Sequence, residues 1–108
     1  MRQSKREVRD PEDLRRIMAA CDVCRVAFAG DGFPYIVPMN FGEEWFDGRP
    51  VLYFHCAREG RKLDLLRRDP RVGLEMDTAR SLVSGERACR YSMNYESLIG
   101  EGTIRILE

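Results

Sequence analysis

A mainly antiparallel β-barrel of short strands with helices at its rim is the fold class this sequence predicts, on three observations. Apolar residues alternate between two faces in short runs at 23–29, 35–41 and 71–77, the pattern of strands, and Val51-Leu52-Tyr53-Phe54 is a β-branched and aromatic run that opens a buried strand over 51–56. A helical period appears only twice, over 10–21 and 63–68. Between the runs stand turn signals, Gly30-Asp31-Gly32 being the strongest, because Asp-Gly and isolated glycine tolerate the positive backbone angles of tight turns.

Asp10-Pro11-Glu12-Asp13 reads as an N-cap, a proline in the first helical position and an acidic first turn. In the helix that follows, Leu14, Ile17, Met18 and Cys21 form one apolar stripe, so this helix covers something flat. From Val23 the period becomes two, with Cys24, Val26 and Phe28 on one face. After the glycine turn, Tyr35, Val37, Met39 and Phe41 face one way and Ile36, Pro38 and Asn40 the other. Pro38 cannot donate to a ladder, which puts this strand at an edge or at a bulge. Asn40 is polar on an apolar strand, and both a local backbone hydrogen bond and ligand contact are open to it.

Residues 42–50 read as a loop or wide hairpin, with Trp45 and Phe46 as loop anchors, leading into a third strand over 51–56. The second helix ends before Asp69-Pro70, since a residue ahead of proline avoids the helical region. A fourth strand follows over 71–77, with Val72, Leu74 and Met76 on one face. Residues 78–90 read as a long loop and 91–107 as an extended segment, with Gly100 and Gly102 on one face. Paired glycines there mark a barrel bend or a close approach to the backbone.

Composition bounds the function. With 108 residues the chain is a single domain, 1–108, whose apolar surface a monomer covers incompletely. Eighteen basic residues balance eighteen acidic ones, so no global field attracts nucleic acid. No apolar run approaches the roughly 18 residues of a membrane helix, and basic Met1–Arg6 has no apolar segment behind it, so a soluble, cytoplasmic protein is expected. Cys21, Cys24, Cys56 and Cys89 read as reduced, mostly buried thiols; Cys21-Asp22-Val23-Cys24 has metal-ligand spacing but lacks a second pair, and no metal is expected.

The chemistry concentrates where the third strand runs out. Across Phe54-His55-Cys56-Ala57-Arg58-Glu59-Gly60-Arg61-Lys62 an apolar strand becomes a basic, glycine-containing turn and then a helix. A helix N-terminus presents unpaired N–H groups and partial positive charge, so Arg58, Arg61 and Lys62 beside Gly60 make an anion-holding corner. No nucleophilic triad, Walker or Rossmann pattern is present, so an enzyme of this kind draws its chemistry from a cofactor.

Three segments in order, Tyr35-Ile36-Val37-Pro38-Met39-Asn40-Phe41, Leu52 to Lys62, and Ser97-Leu98-Ile99-Gly100-Glu101-Gly102, resemble the FMN-binding split-barrel proteins of the pyridoxamine 5'-phosphate oxidase-like superfamily, in its nitroimidazole-resistance branch. The resemblance implies a split β-barrel working as a homodimer, with FMN in a groove between subunits. It places Val37, Pro38, Met39 and Asn40 along the isoalloxazine ring and His55, Cys56 and Ala57 beside it. Gly60, Arg61 and Lys62 fall at the phosphate and Ser97 on the last strand, while His55 also matches the histidine near flavin and substrate. Relatives continue beyond the position of Glu108 with a further helix and a last strand, which leaves three readings open: a partner subunit closes the barrel, the chain is a trimmed piece, or flavin is bound weakly or not at all. Three functions are open to such a chain. One is a flavin-dependent oxidoreductase, nitroreductase-like or pyridoxamine-phosphate-oxidase-like, passing electrons from a reduced nicotinamide to a small molecule. Another is a non-catalytic module that stores or senses a flavin or other phosphorylated ligand. The last is a structural dimer without ligand.

Overall fold

Asp10 starts the first helix as its sequence predicts. Its carboxylate accepts the Glu12 N–H at 3.1 Å, Pro11 follows in the first turn, and α1 runs Pro11–Ala19. The other elements of the computed structural model, which describes residues 10–83 and 92–107, are β1 (Val23–Phe28), β2 (Tyr35–Asn40), β3 (Gly42–Phe46), β4 (Arg49–Tyr53), α2 (Arg61–Arg68), β5 (Arg71–Val83) and β6 (Ser92–Thr103). All strand pairs are antiparallel, in a four-stranded sheet ordered β2-β1-β5-β6 and a separate β3-β4 hairpin. The architecture is the mainly β split barrel with two helices that the sequence leads one to expect, its sheet open within the single chain.

The core lies on one face of the sheet. Cys24, Val26 and Phe28 of central β1 are buried, as are Val72 and Met76 of β5. From α1 come Ile17 and Met18, with Cys21 just beyond it, and from α2 Leu63, Leu65 and Leu66. No polar or charged side chain is buried among the described residues, so the interior is held by apolar burial and packing. Pro38 sits on β2, an edge strand, where its missing N–H interrupts no second ladder.

Two stretches differ from expectation. Residues 42–50 are a tight hairpin, with Phe46 opposite Arg49 and Gly42 opposite Tyr53. Asp47 and Gly48 take positive φ of 52° and 79°, which a two-residue turn matching strand twist requires. The strand expected over 51–56 therefore starts earlier and ends at Tyr53. The hairpin is tied back to α1 by the Arg15 guanidinium, 5.8 Å from the Trp45 ring centre. The fourth strand does not stop at Asp77 but continues to Val83, paired with β6 through an irregularity between Ala79 and Ser81. The remainder of the expected 78–90 loop, 84–90, lies outside the described residues.

The β5-β6 ribbon outruns its neighbours, since β1 pairs with β5 only over Val72–Glu75. The radius of gyration is accordingly 16.4 Å, against about 13 Å for a compact domain of about 100 residues. Arg16 of α1 braces the ribbon through two 3.0 Å hydrogen bonds to the Glu96 carboxylate.

Packing sets the first expected outcome. Ile17 is 2% exposed and Phe33 is 88% exposed, so Ile17→Ala costs about 2–5 kcal/mol by urea unfolding, while Phe33→Ala stays within about 0.5 kcal/mol. A second concerns the α2-β5 turn, where Asp69 accepts the Arg71 guanidinium at 2.9 Å and the Arg71 N–H at 3.1 Å. The guanidinium first, and the N–H second, hold the Asp69 carboxyl down at about 2. A folded value below the unfolded one means the turn's contribution is present above pH about 4 and lost as pH falls through about 2. The stability difference between wild type and Asp69→Asn, followed by urea midpoint, therefore shrinks over that window.

Candidate functional site

The site is built where β4 hands over to α2. Half-buried Phe54 packs on the core, and His55, Cys56 and Ala57 follow it out into solvent. The chain then turns through Gly60, whose φ of +143° is a conformation L side chains rarely adopt. Gly60 is the N-cap of α2 and offers no side-chain hydrogen bond to it. A Cβ at that position would meet nothing within 4 Å. The first N–H groups of α2 thus end in an uncapped turn with open space in front of it, which is a place for an anion.

The charges along α2 are treated unequally. At its C-terminal end Arg67 pairs with Asp64 at 3.7 Å, and Arg68 pairs with Asp31 of the β1-β2 turn. At its N-terminal end neither Arg61 nor Lys62 has a carboxylate at ion-pair distance among the described residues. Cations beside a helix N-terminus oppose the macrodipole, so this uncompensated pair stands where an intramolecular argument would not put it. The Arg61 guanidinium carbon lies 4.7 Å from the centre of the Tyr35 ring.

Two cavities flank this turn. The larger, about 940 Å³, opens between the β3-β4 hairpin and the sheet, and Met39, His55, Cys56 and Lys62 line it. The smaller, about 690 Å³, takes in Gly60 and Arg61 with Asp31 and Arg68. Arg61 and Lys62, adjacent in the first turn of α2, therefore open onto different cavities. Val37, Pro38, Asn40, Ala57 and Ser97 line neither cavity. Pro38, Asn40 and Ser97 are instead exposed, on the opposite sheet face from the core. The Asn40 amide donates to the Asp22 carbonyl at 3.0 Å, fastening the end of β2 to the turn before β1.

Other groups around the site lie outside the set of cofactor-binding residues that the resemblance implies. Trp45, read as a loop anchor, lines the larger cavity and donates its indole N–H to Glu43 at 2.6 Å. Asp47-Gly48 is the signal that would have placed it on a strand. Gly100 and Gly102 also line this cavity, opposite Leu74 and Val72, and a Cβ at Gly100 would meet nothing within 4 Å. Glu75, joined to Arg25 at 3.0 Å, has its carboxyl pushed up by burial and by Asp77, with Arg25 working against the shift.

Burial pushes the Cys21 and Cys24 thiols up, which keeps them protonated and unreactive. Cys56 is exposed and Cys89 lies outside the described residues. Among the described residues no cluster of three or more acidic, histidine or cysteine side chains could hold a metal ion, and no helix is long and apolar enough to cross a membrane.

Comparison with known proteins places this geometry. A candidate 5-nitroimidazole antibiotic resistance protein from Bacteroides thetaiotaomicron is 32% identical, with a TM-score of 0.74 over 94% of this chain and 58% of that one. The flavocytochrome Anf3 from Azotobacter vinelandii is 22% identical, with a TM-score of 0.62 over 94% of this chain and 49% of that one. An FAD- and heme-binding protein from Mycobacterium smegmatis is 21% identical, with a TM-score of 0.64 over 87% and 44%. The latter two share the fold. The chain spans 58% or less of the length of these three structures. No curated protein matches the sequence. The family model for pyridoxamine 5'-phosphate oxidase matches residues 10–108. The chain belongs to the pyridoxamine 5'-phosphate oxidase family.

Proposed function

We propose that this chain binds FMN and works, as a homodimer, in a flavin-dependent oxidoreductase acting on a small molecule. The observation that carries the reading is the uncapped N-terminus of α2, with Arg61 and Lys62 left without carboxylate partners among the described residues. Its donors and charges fit a phosphate, and open space at Gly60 lets one approach. Family membership supports flavin as the ligand, as does the flavin named for two of the similar structures.

In this reading Arg61, Lys62 and the first peptide N–H groups of α2 hold the phosphate. The β2 edge supports the ring system: Val37 and Met39 back it from the core side, while Pro38 and Asn40 present an exposed surface. As an edge strand, β2 also leaves alternate peptide groups without a partner in the sheet, and these suit hydrogen bonding to a heterocycle. His55 stands at the mouth of the larger cavity, where an imidazole can donate to or accept from a substrate. Bound flavin would supply electron transfer between a reduced nicotinamide and the acceptor; the chain supplies binding, orientation and a polar edge. Association is supported by exposed Ile36 and Ile99 on the uncovered sheet face, Ile99 being 84% exposed.

Lys62→Ala is expected to weaken FMN binding by about ten- to a hundredfold and riboflavin binding by less than twofold, because only FMN loses a charge-assisted phosphate contact. Titration by flavin fluorescence reads both. Equal losses would make Lys62 a fold residue, and no FMN binding by the wild type would overturn the flavin reading.

A further inference from the structure

Arg61 is held differently from the other arginines around α2. Arg67, Arg68 and Arg71 each meet a carboxylate, whereas the contact given to Arg61 is the face of an aromatic ring. A guanidinium stacked flat on a ring keeps its N–H donors, which radiate within its own plane, available to a ligand. Contact with the Tyr35 ring restrains the Arg61 head, and no carboxylate among the described residues occupies its fork.

The ring is itself fixed from beneath. Tyr35 pairs directly across the sheet with Phe28, their ring centres 6.1 Å apart at 50°, and Phe28 is 2% exposed in the core. A continuous run of contacts thus leads from the core through Phe28 and Tyr35 to the Arg61 guanidinium at the open turn. Arginine loses much of its side-chain rotamer freedom when immobilised. Restraint before binding removes part of that cost from the binding step.

We propose that Tyr35 is a positioning residue for the phosphate site: by stacking on Arg61 it presents that guanidinium, fork outward, to the phosphate of the ligand. The proposal rests on the flavin reading above and adds to it a determinant of discrimination between phosphorylated and unphosphorylated ligand. Because the effect passes through Arg61, it is absent for riboflavin and absent when Arg61 is removed.

The test measures FMN and riboflavin dissociation constants, by flavin fluorescence on full-length chain, for wild type, Tyr35→Phe, Tyr35→Leu, Tyr35→Met, Arg61→Ala and Arg61→Ala/Tyr35→Leu. Expected are near-wild-type constants for Tyr35→Phe, which keeps the ring face. Tyr35→Leu and Tyr35→Met weaken FMN by about two- to fivefold with riboflavin unchanged, and Tyr35→Leu adds nothing once Arg61 is alanine. Equal loss for both ligands overturns the proposal, as does an undiminished Tyr35→Leu effect in the Arg61→Ala background. Loss of folding in both ring-deleted variants also overturns it, since the ring is then chiefly a core residue. FMN binding by wild type that Arg61→Ala leaves untouched overturns the proposal but not the flavin reading; absence of FMN binding by wild type overturns both.

Discussion

One-sided burial of β1 is the constraint on which the rest depends. Cys24, Val26 and Phe28 are wholly covered, while Arg25 on the other face spans Glu75 and Asp77 at 3.0 Å each. A one-residue slip of this strand would place an arginine in an apolar interior and three apolar side chains in water, so the register is strongly specified. With β1 fixed, the neighbours follow: β2 on one side, β5 on the other, and two amphipathic helices covering the same face. The turn at Gly60 takes its place from this arrangement, because α2 must lay Leu63, Leu65 and Leu66 on the sheet and so brings its N-terminus to the start of β2, at Tyr35.

Much of this was legible in the residues. The apolar stripe of α1, the buried face of β1, the alternation of β2 and the stop at Asp69-Pro70 are local patterns that burial merely ratified. The β3-β4 hairpin was harder because Arg49-Pro50 and Glu43-Glu44 lack strand propensity; pairing across Asp47-Gly48 overrode it. The length of β5 was hidden for a related reason. Thr78-Ala79-Arg80-Ser81 shows no alternation, and its extended form comes from the partner strand β6 rather than from its own composition.

The candidate site divides in the same way. That an anion belongs near Gly60-Arg61-Lys62 follows from charge and helix geometry, both visible in sequence. Which cations are free to meet it is a tertiary fact. Arg67 meets Asp64 three positions back on the same helix, a pairing local in sequence, but only the fold brings Asp31 to neutralise Arg68. The separation of Arg61 and Lys62 onto different cavities was likewise not legible, since adjacent helical positions diverge by about 100° and the walls they meet come from distant segments.

The edge position of Pro38 has a consequence for the molecule in a crowded solution. An open sheet has two free rims, and each is a template on which a foreign strand can lay down hydrogen bonds. On the β2 rim, a proline midway along a six-residue strand deprives any incoming backbone of a donor at its centre. The β6 rim runs twelve residues from Ser92 to Thr103 without a proline. The β2 rim is therefore guarded against uncontrolled growth on the side where the ligand is proposed to lie.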